Sequence, residues 1–142
     1  MSDGFWPAVT SLAVHEDRLI AGGWFQRAGA TPASYIAAFD GTDWAALGDG
    51  VDNFVWSVVS YDGLIIAGGD FLNAGGTAAA HVAAWDGASW QPLGAGLSDF
   101  VRSASVFGGG LYLGGWFLQA GGLPSYYLAR WDNAGGSAVG ER

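Results

Sequence analysis

Hydrophobic positions in this chain come in short bursts broken by glycine pairs. In the middle of the sequence, residues 55–61 (VWSVVSY) are β-branched and aromatic, Asp62-Gly63 is a hairpin turn signal, and 64–69 (LIIAGG) is a second apolar run. Their near-continuous apolar character predicts strands covered on both faces, not a half-exposed sheet. Residues 70–80 then read as a loop and 82–86 as a third strand. Asp86-Gly87-Ala88-Ser89 is a turn whose carboxylate bonds its own backbone. Residues 90–93 complete a fourth strand, and Pro92 marks it as an edge because proline cannot donate to a ladder.

The same pattern recurs on either side at a gapless spacing of 46 residues, the step from Gly22-Gly23 to Gly68-Gly69 and on to Gly114-Gly115. Phe25, Phe71 and Phe117 follow in step, as do Phe39, Trp85 and Trp131, and then Asp40, Asp86 and Asp132. The first copy predicts strands over 9–14, 18–23, 36–40 and 44–47, turning at Glu16-Asp17 and Asp40-Gly41. The third predicts 101–107, 111–115, 128–132 and a degraded strand over 137–139, with Gly135-Gly136 where Trp44 and Trp90 open strand four in the other copies. Nothing reads as helical. The chain is therefore one all-β repeat domain, 1–142, with units at about 5–50, 51–96 and 97–142. Four strands per unit at this period is the grammar of a β-propeller blade.

An apolar second strand ending in Gly-Gly, an aromatic closing strand three and a Trp opening strand four resemble kelch-type propeller repeats, as in galactose-oxidase-like domains. The form GGxFxxAGG followed by IAxWDGxxWxxLGxG is similar to a variant of bacterial surface and secreted proteins. The resemblance spans essentially the whole chain and implies a kelch-like β-propeller, with an extracellular or cell-surface parent. It also implies that the loops after strands two and four share a binding face: here 70–80 and 94–99 with their repeats.

Composition narrows the function. Glycine is 25 of 142 residues, which calls for many tight turns. The net charge is −8 with five Arg and no Lys, which argues against a phosphate-neutralising surface and so against nucleic acid as a partner. With no cysteine there is no disulfide, thiolate metal site or cysteine nucleophile. Galactose-oxidase-like copper chemistry needs a cysteine crosslinked to tyrosine, so an enzyme of that kind is excluded on composition. No apolar run approaches the roughly 18 residues of a membrane helix, and Met1-Ser2-Asp3-Gly4 does not open a signal-type segment. The expectation is a chain that is not inserted in a membrane, or one already lacking a leader.

Three such units should not stand alone. Each packs apolar faces on two neighbours, and an open row leaves one face bare at each end. Buried side chains of this type contribute about 1.5 to 3 kcal/mol each, so two wet faces weigh heavily against a marginal stability. Arg142 falls at the repeat phase of Gly96, Gly50 and Gly4, so head-to-tail copies continue the row in register. A heterologous contact closes only if its rotation divides the circle. Two chains would give six blades, the favoured homodimer; three would give nine, the homotrimer alternative. The spacing is equally compatible with an excised or engineered piece of a longer array.

Candidate chemistry is sparse. The diglycines are not followed by a lysine or a helix, so Gly22, Gly23, Gly68, Gly69, Gly114 and Gly115 are read as close packing, not as a phosphate cradle. Asp40, Asp86 and Asp132 are read as turn caps, and Phe39, Trp44, Trp85, Trp90 and Trp131 as core or interface aromatics. Asp49, Asp52, Asn53, Ser98 and Asp99 could offer oxygens to calcium, though the spacing lacks a recognised calcium loop. His15 and His81 stand at different repeat phases, so they are not expected to share a metal, and no cofactor is expected. What varies between copies is Trp24, Asp70 and Trp116 after the diglycine, Arg27, Asn73 and Gln119 in the long loop, and Trp56 and Arg102 at the start of strand one. Tryptophan platforms beside amides and carboxylates suit a carbohydrate, whose apolar face stacks while its hydroxyls bond. The expected function is a non-enzymatic scaffold or binding module that assembles with itself and takes a glycan or protein ligand; the alternative is a lectin-like propeller.

Overall fold

A computed structural model describes residues 8–131 and the backbone of 138–140. Asp132, Gly135 and Gly136 lie outside the described residues. No helix occurs among those that are described, and hence none long and apolar enough to cross a membrane.

Each repeat forms one four-stranded antiparallel sheet and one small hairpin. In unit one the strands are β1 (Ala8–His15), β2 (Arg18–Trp24), β3 (Arg27–Ala28), β4 (Thr31–Pro32), β5 (Ile36–Phe39) and β6 (Trp44–Ala46). Unit two has β7 (Val55–Tyr61), β8 (Leu64–Gly69), β9 (Asn73–Ala74), β10 (Thr77–Ala78), β11 (Val82–Trp85) and β12 (Trp90–Pro92). Unit three has β13 (Val101–Phe107), β14 (Gly110–Gly115), β15 (Gln119–Ala120), β16 (Leu123–Pro124), β17 (Leu128–Trp131) and β18 (Ala138–Gly140). The sheet orders are β1-β2-β5-β6, β7-β8-β11-β12 and β13-β14-β17-β18, with β3-β4, β9-β10 and β15-β16 as the hairpins. Pro92 lies on the edge strand its chemistry requires.

Turn residues explain the tight corners. Glu16-Asp17 (φ 50°, 64°), Asp62-Gly63 (52°, 78°) and Gly108-Gly109 (57°, 79°) all place two successive residues at positive φ, the geometry that matches the twist of a hairpin. The loop expected over 70–80 is more ordered than its composition suggests. Gly75 and Gly76 (58°, 84°) fold it into the β9-β10 hairpin. Asp40 and Asp86 cap their turns: Asp40 Oδ1 accepts from the amides of Thr42 and Asp43, and Asp86 Oδ1 from those of Ala88 and Ser89, each at 2.8 Å.

The diglycines hold the strands together in two ways. The first strand of every unit shifts register once, at Val9/Ser11, Val55/Ser57 and Val101/Ser103. There the carbonyls of Ala8, Phe54 and Phe100 occupy the space a β-carbon on Gly23, Gly69 or Gly115 would need. The other glycine faces the neighbouring sheet: a β-carbon on Gly22 would stand 2.6 Å from Val55 Cγ1, and one on Gly68 2.5 Å from Val101 Cγ1.

The sheets stack face to face, with β7 packed between β1 and β13. The core therefore lies between units. One cluster joins Ile20, Ile36 and Leu47 of unit one to Val55, Val58, Ile65, Phe71, Trp85 and Trp90. A second joins Ile66, Val82 and Leu93 to Val101, Leu111, Leu113, Phe117 and Trp131. Trp85 and Trp90 pack at 5.4 Å, and the Trp90 indole N–H donates to Leu47 O at 2.8 Å. Phe39 and Trp44 form the same pair at 5.0 Å but stay half-buried, because no sheet among the described residues covers their side of unit one.

Candidate functional site

The starts of the first strands and the ends of the second meet at one end of each sheet, and five of the variable residues, Trp24, Trp56, Asp70, Arg102 and Trp116, lie there. Trp56 donates its indole N–H to Asp70 Oδ1 at 2.8 Å, and the Arg102 guanidinium of the next unit lies 4.4 Å from the Trp56 ring centre. Trp56, Asp70 and Arg102 thus form a stacked cluster across the seam between units two and three. At the seam between units one and two, Phe54 inserts its ring against Trp24 at 4.7 Å and Tyr35 at 6.1 Å. At the next seam Phe100 takes the same place, beside His81 at 5.9 Å. Tyr35, His81 and Tyr127 occupy one repeat phase and all hold positive φ (71°, 71°, 73°). Their carbonyls accept from Gly23, Gly69 and Gly115, so this backbone conformation belongs to the scaffold and presents a ring at each seam.

The other variable residues are not brought to that cluster. Arg27 is exposed and donates to Ala30 O, and Asn73 and Gln119 lie on the β9 and β15 hairpins. Asn73 is held by Asp52: its side-chain amide donates to Asp52 Oδ2 at 2.8 Å, while Asp52 Oδ1 accepts from the amides of Leu72 and Asn73. Ser98 does the equivalent work one repeat later, its Oγ accepting from the amides of Leu118 and Gln119. Asn53 and Asp99 accept from the amides that follow them. Of the oxygens considered for calcium, those of Asp52 and Ser98 are directed into a strap that ties each strand-four loop to the next unit's hairpin, while those of Asn53 and Asp99 cap the next residue. Burial pushes the Asp52 carboxyl up, but the Asn73 amide and the Leu72 and Asn73 backbone outweigh it and leave it below its ordinary value. Among the described residues no three His, Asp or Glu side chains gather as a metal set. His15 and His81 are both buried and separately partnered, His15 Nδ1 with Ser60 Oγ at 2.7 Å and His81 Nδ1 with Gly69 O at 3.3 Å.

A serine ladder runs along the seams. Ser11 Oγ accepts from Val58 N at 3.0 Å and Ser57 Oγ from Ala104 N at 3.1 Å, while Thr10 Oγ1 donates to Val55 O at 2.7 Å. The outer flanks carry the same residues without a neighbouring sheet among the described residues. Val9 and Leu12 are 55% and 58% exposed, whereas their repeat equivalents Val55 and Val58 are 0% and 2%. A cavity of about 240 Å³ opens on that flank, lined by Val9, Ala21, Phe25, Arg27 and Trp44. On the opposite flank a β-carbon on Gly114 would meet, among the described residues, only Ser103 Oγ and a carbonyl of its own sheet, and Phe107 and Trp116 are 75% and 62% exposed. Sequence reasoning passed over Phe54, Phe100 and the serines. Their signal was present, in that Ser11, Ser57 and Ser103 interrupt an apolar strand at one fixed phase.

No protein-family model matches the chain, and no curated protein does. Forty solved chains match in structure. Among them is the computationally designed Ika4 protein, known from a crystal structure, with a TM-score of 0.55 over 99% of this chain and 75% of that one at 15% identity. At that identity the likeness is one of fold.

Proposed function

We propose that the chain is a non-enzymatic, kelch-like β-propeller module whose three sheets are blades and which closes its ring with further copies of itself. The observation that carries this reading is the pair of unmatched flanks. Val9 and Leu12 repeat residues that are fully covered in unit two, and Gly114 repeats the glycine notch into which Val55 and Val101 fit. Docked head to tail, Val9 of a second copy enters the Gly114 notch and Ser103 Oγ meets its Leu12 amide, extending the ladder by one step. Two chains make a six-bladed ring, within the usual four to eight blades, and three make nine. A native mass spectrum tests it: a dimer is expected, a trimer is the next outcome, and a stable monomer at micromolar concentration overturns the reading.

A lectin-like function is the second reading. It is favoured by the aromatic rings concentrated at the strand-one end, where Trp116 is exposed and Trp24 half-buried. Glycan binding by the assembled protein, reduced by Trp24→Ala or Trp116→Ala, is its test.

A further inference from the structure

Each internal seam is sealed at its mouth by a phenyl ring. Phe54 lies against Trp24 and Tyr35, and Phe100 beside His81. In both cases the ring comes from the residue just before strand one of the following unit. Phe54 meets rings from the positions after the diglycine and before strand three of the preceding unit, and Phe100 meets the one before strand three, His81, and also stacks at 6.2 Å on Trp116 of its own unit. In unit three those two positions are Trp116 and Tyr127, both exposed at 62% and 60%. The residue that faces them in a closed ring is the repeat equivalent of Phe54 and Phe100, which is Ala8. The position two residues on, Trp56 or Arg102 at the internal seams, is Thr10. Among the described residues, the seam between copies therefore sets two large aromatic side chains on one side against an alanine at the position that carries Phe54 and Phe100 elsewhere.

We infer that this intermolecular seam is a carbohydrate site, in which a pyranose ring stacks on Trp116 and Tyr127 of one copy in the space left open by Ala8 of the second copy. The inference rests on the ring closure proposed above, and the site is incomplete without the second copy. The internal seams show that a flat six-membered ring fits between these positions, at 4.7 Å from the indole of Trp24. A sugar suits the intermolecular one better than a hydrocarbon because of the polar groups around the slot. Trp116 and Tyr127 carry an indole N–H and a hydroxyl that have no side-chain hydrogen-bond partner among the described residues. An aromatic platform with polar groups at its edge recognises a ligand that is apolar on one face and hydroxylated at its rim.

The experiment titrates the assembled protein with glucose, galactose, mannose and N-acetylglucosamine, and in a parallel arm with benzyl alcohol, following tryptophan fluorescence and heat. Native mass spectrometry is run on the same samples. The expected result is sugar binding by the assembled form that falls about tenfold or more in Ala8→Phe, with the assembly mass retained. Trp116→Ala should abolish it as well, which covers the case of a misfolded Ala8→Phe protein. A closed ring that binds none of the sugars, that binds benzyl alcohol instead, or whose sugar binding survives Ala8→Phe and Trp116→Ala overturns the site while leaving the ring intact. A monomer overturns the ring, and the seam with it.

Discussion

Val101 fills a notch above Gly68. A β-carbon there would stand 2.5 Å from Val101 Cγ1, nearer than packed atoms approach, so Gly68→Ala must push the second and third sheets apart. Overpacking of this kind costs about 1 to 3 kcal/mol, which denaturant unfolding would measure. The same change at Gly114 should leave the isolated chain's stability within about 0.5 kcal/mol of the parent and act on assembly instead. Equal effects on folding at the two positions would contradict the idea that Gly114 awaits a second copy.

The exposed flank gives a complementary test. Leu12→Glu combined with Val14→Glu places charges where the ring reading brings an apolar surface, and both residues are more than half exposed in one chain. The variant should fold and remain monomeric in light scattering, while the parent assembles. An unchanged mass would remove this flank from the interface.

Trp90 acts through its N–H as well as its bulk. It is 6% exposed and donates to Leu47 O across the seam at 2.8 Å. Trp90→Phe should lose about 1 to 3 kcal/mol, because a buried carbonyl is left without its donor and the smaller ring leaves a gap. Trp44→Phe, at the same phase on the half-buried flank, should cost less in a dilute sample. Comparing the two unfolding midpoints decides it.

Acid should weaken the turns. The Asp86 carboxyl is held below its ordinary 3.8 first by the Ser89 amide and then by that of Ala88, and Asp40 likewise by the amides of Asp43 and Thr42. A carboxyl lowered by folding adds stability that is complete above its unfolded value and is lost as the pH falls through the folded one. The unfolding temperature should therefore hold from neutrality to about pH 4 and fall below it. Asp86→Asn should flatten that fall, and since both groups are solvent-exposed the change is a modest one.

Repetition made most of the fold legible. Because the pattern occurs three times, strand bounds that one copy leaves open are set by the others; β7, β8 and β13 start and end where the apolar runs do. The Asp-Gly turns and the glycine notches follow from residue chemistry alone. The β9-β10 hairpin was hidden because Asn73-Ala74 and Thr77-Ala78 are too short to carry a periodic signal, and their order comes from the Asp52 strap in a different repeat phase. Of the variable residues, Trp56, Asp70 and Arg102 do converge, but Arg27, Asn73 and Gln119 do not join them. Residues at one end of a sheet can be grouped from the sequence; which side chains then touch depends on stacking between sheets, and no local pattern encodes that.

The straps have a consequence for how the molecule comes apart. The Gly50 carbonyl holds the Gly75 amide at 2.8 Å, and Gly96 holds Gly121 at the same distance, so each unit's last loop is locked to the hairpin of the next. No sheet can loosen without first releasing its neighbour, and unit two is clasped from both sides. Amide protons of β7 and β8 should exchange with solvent slowest of all, and opening should run inward from the ends like a zip drawn from two directions.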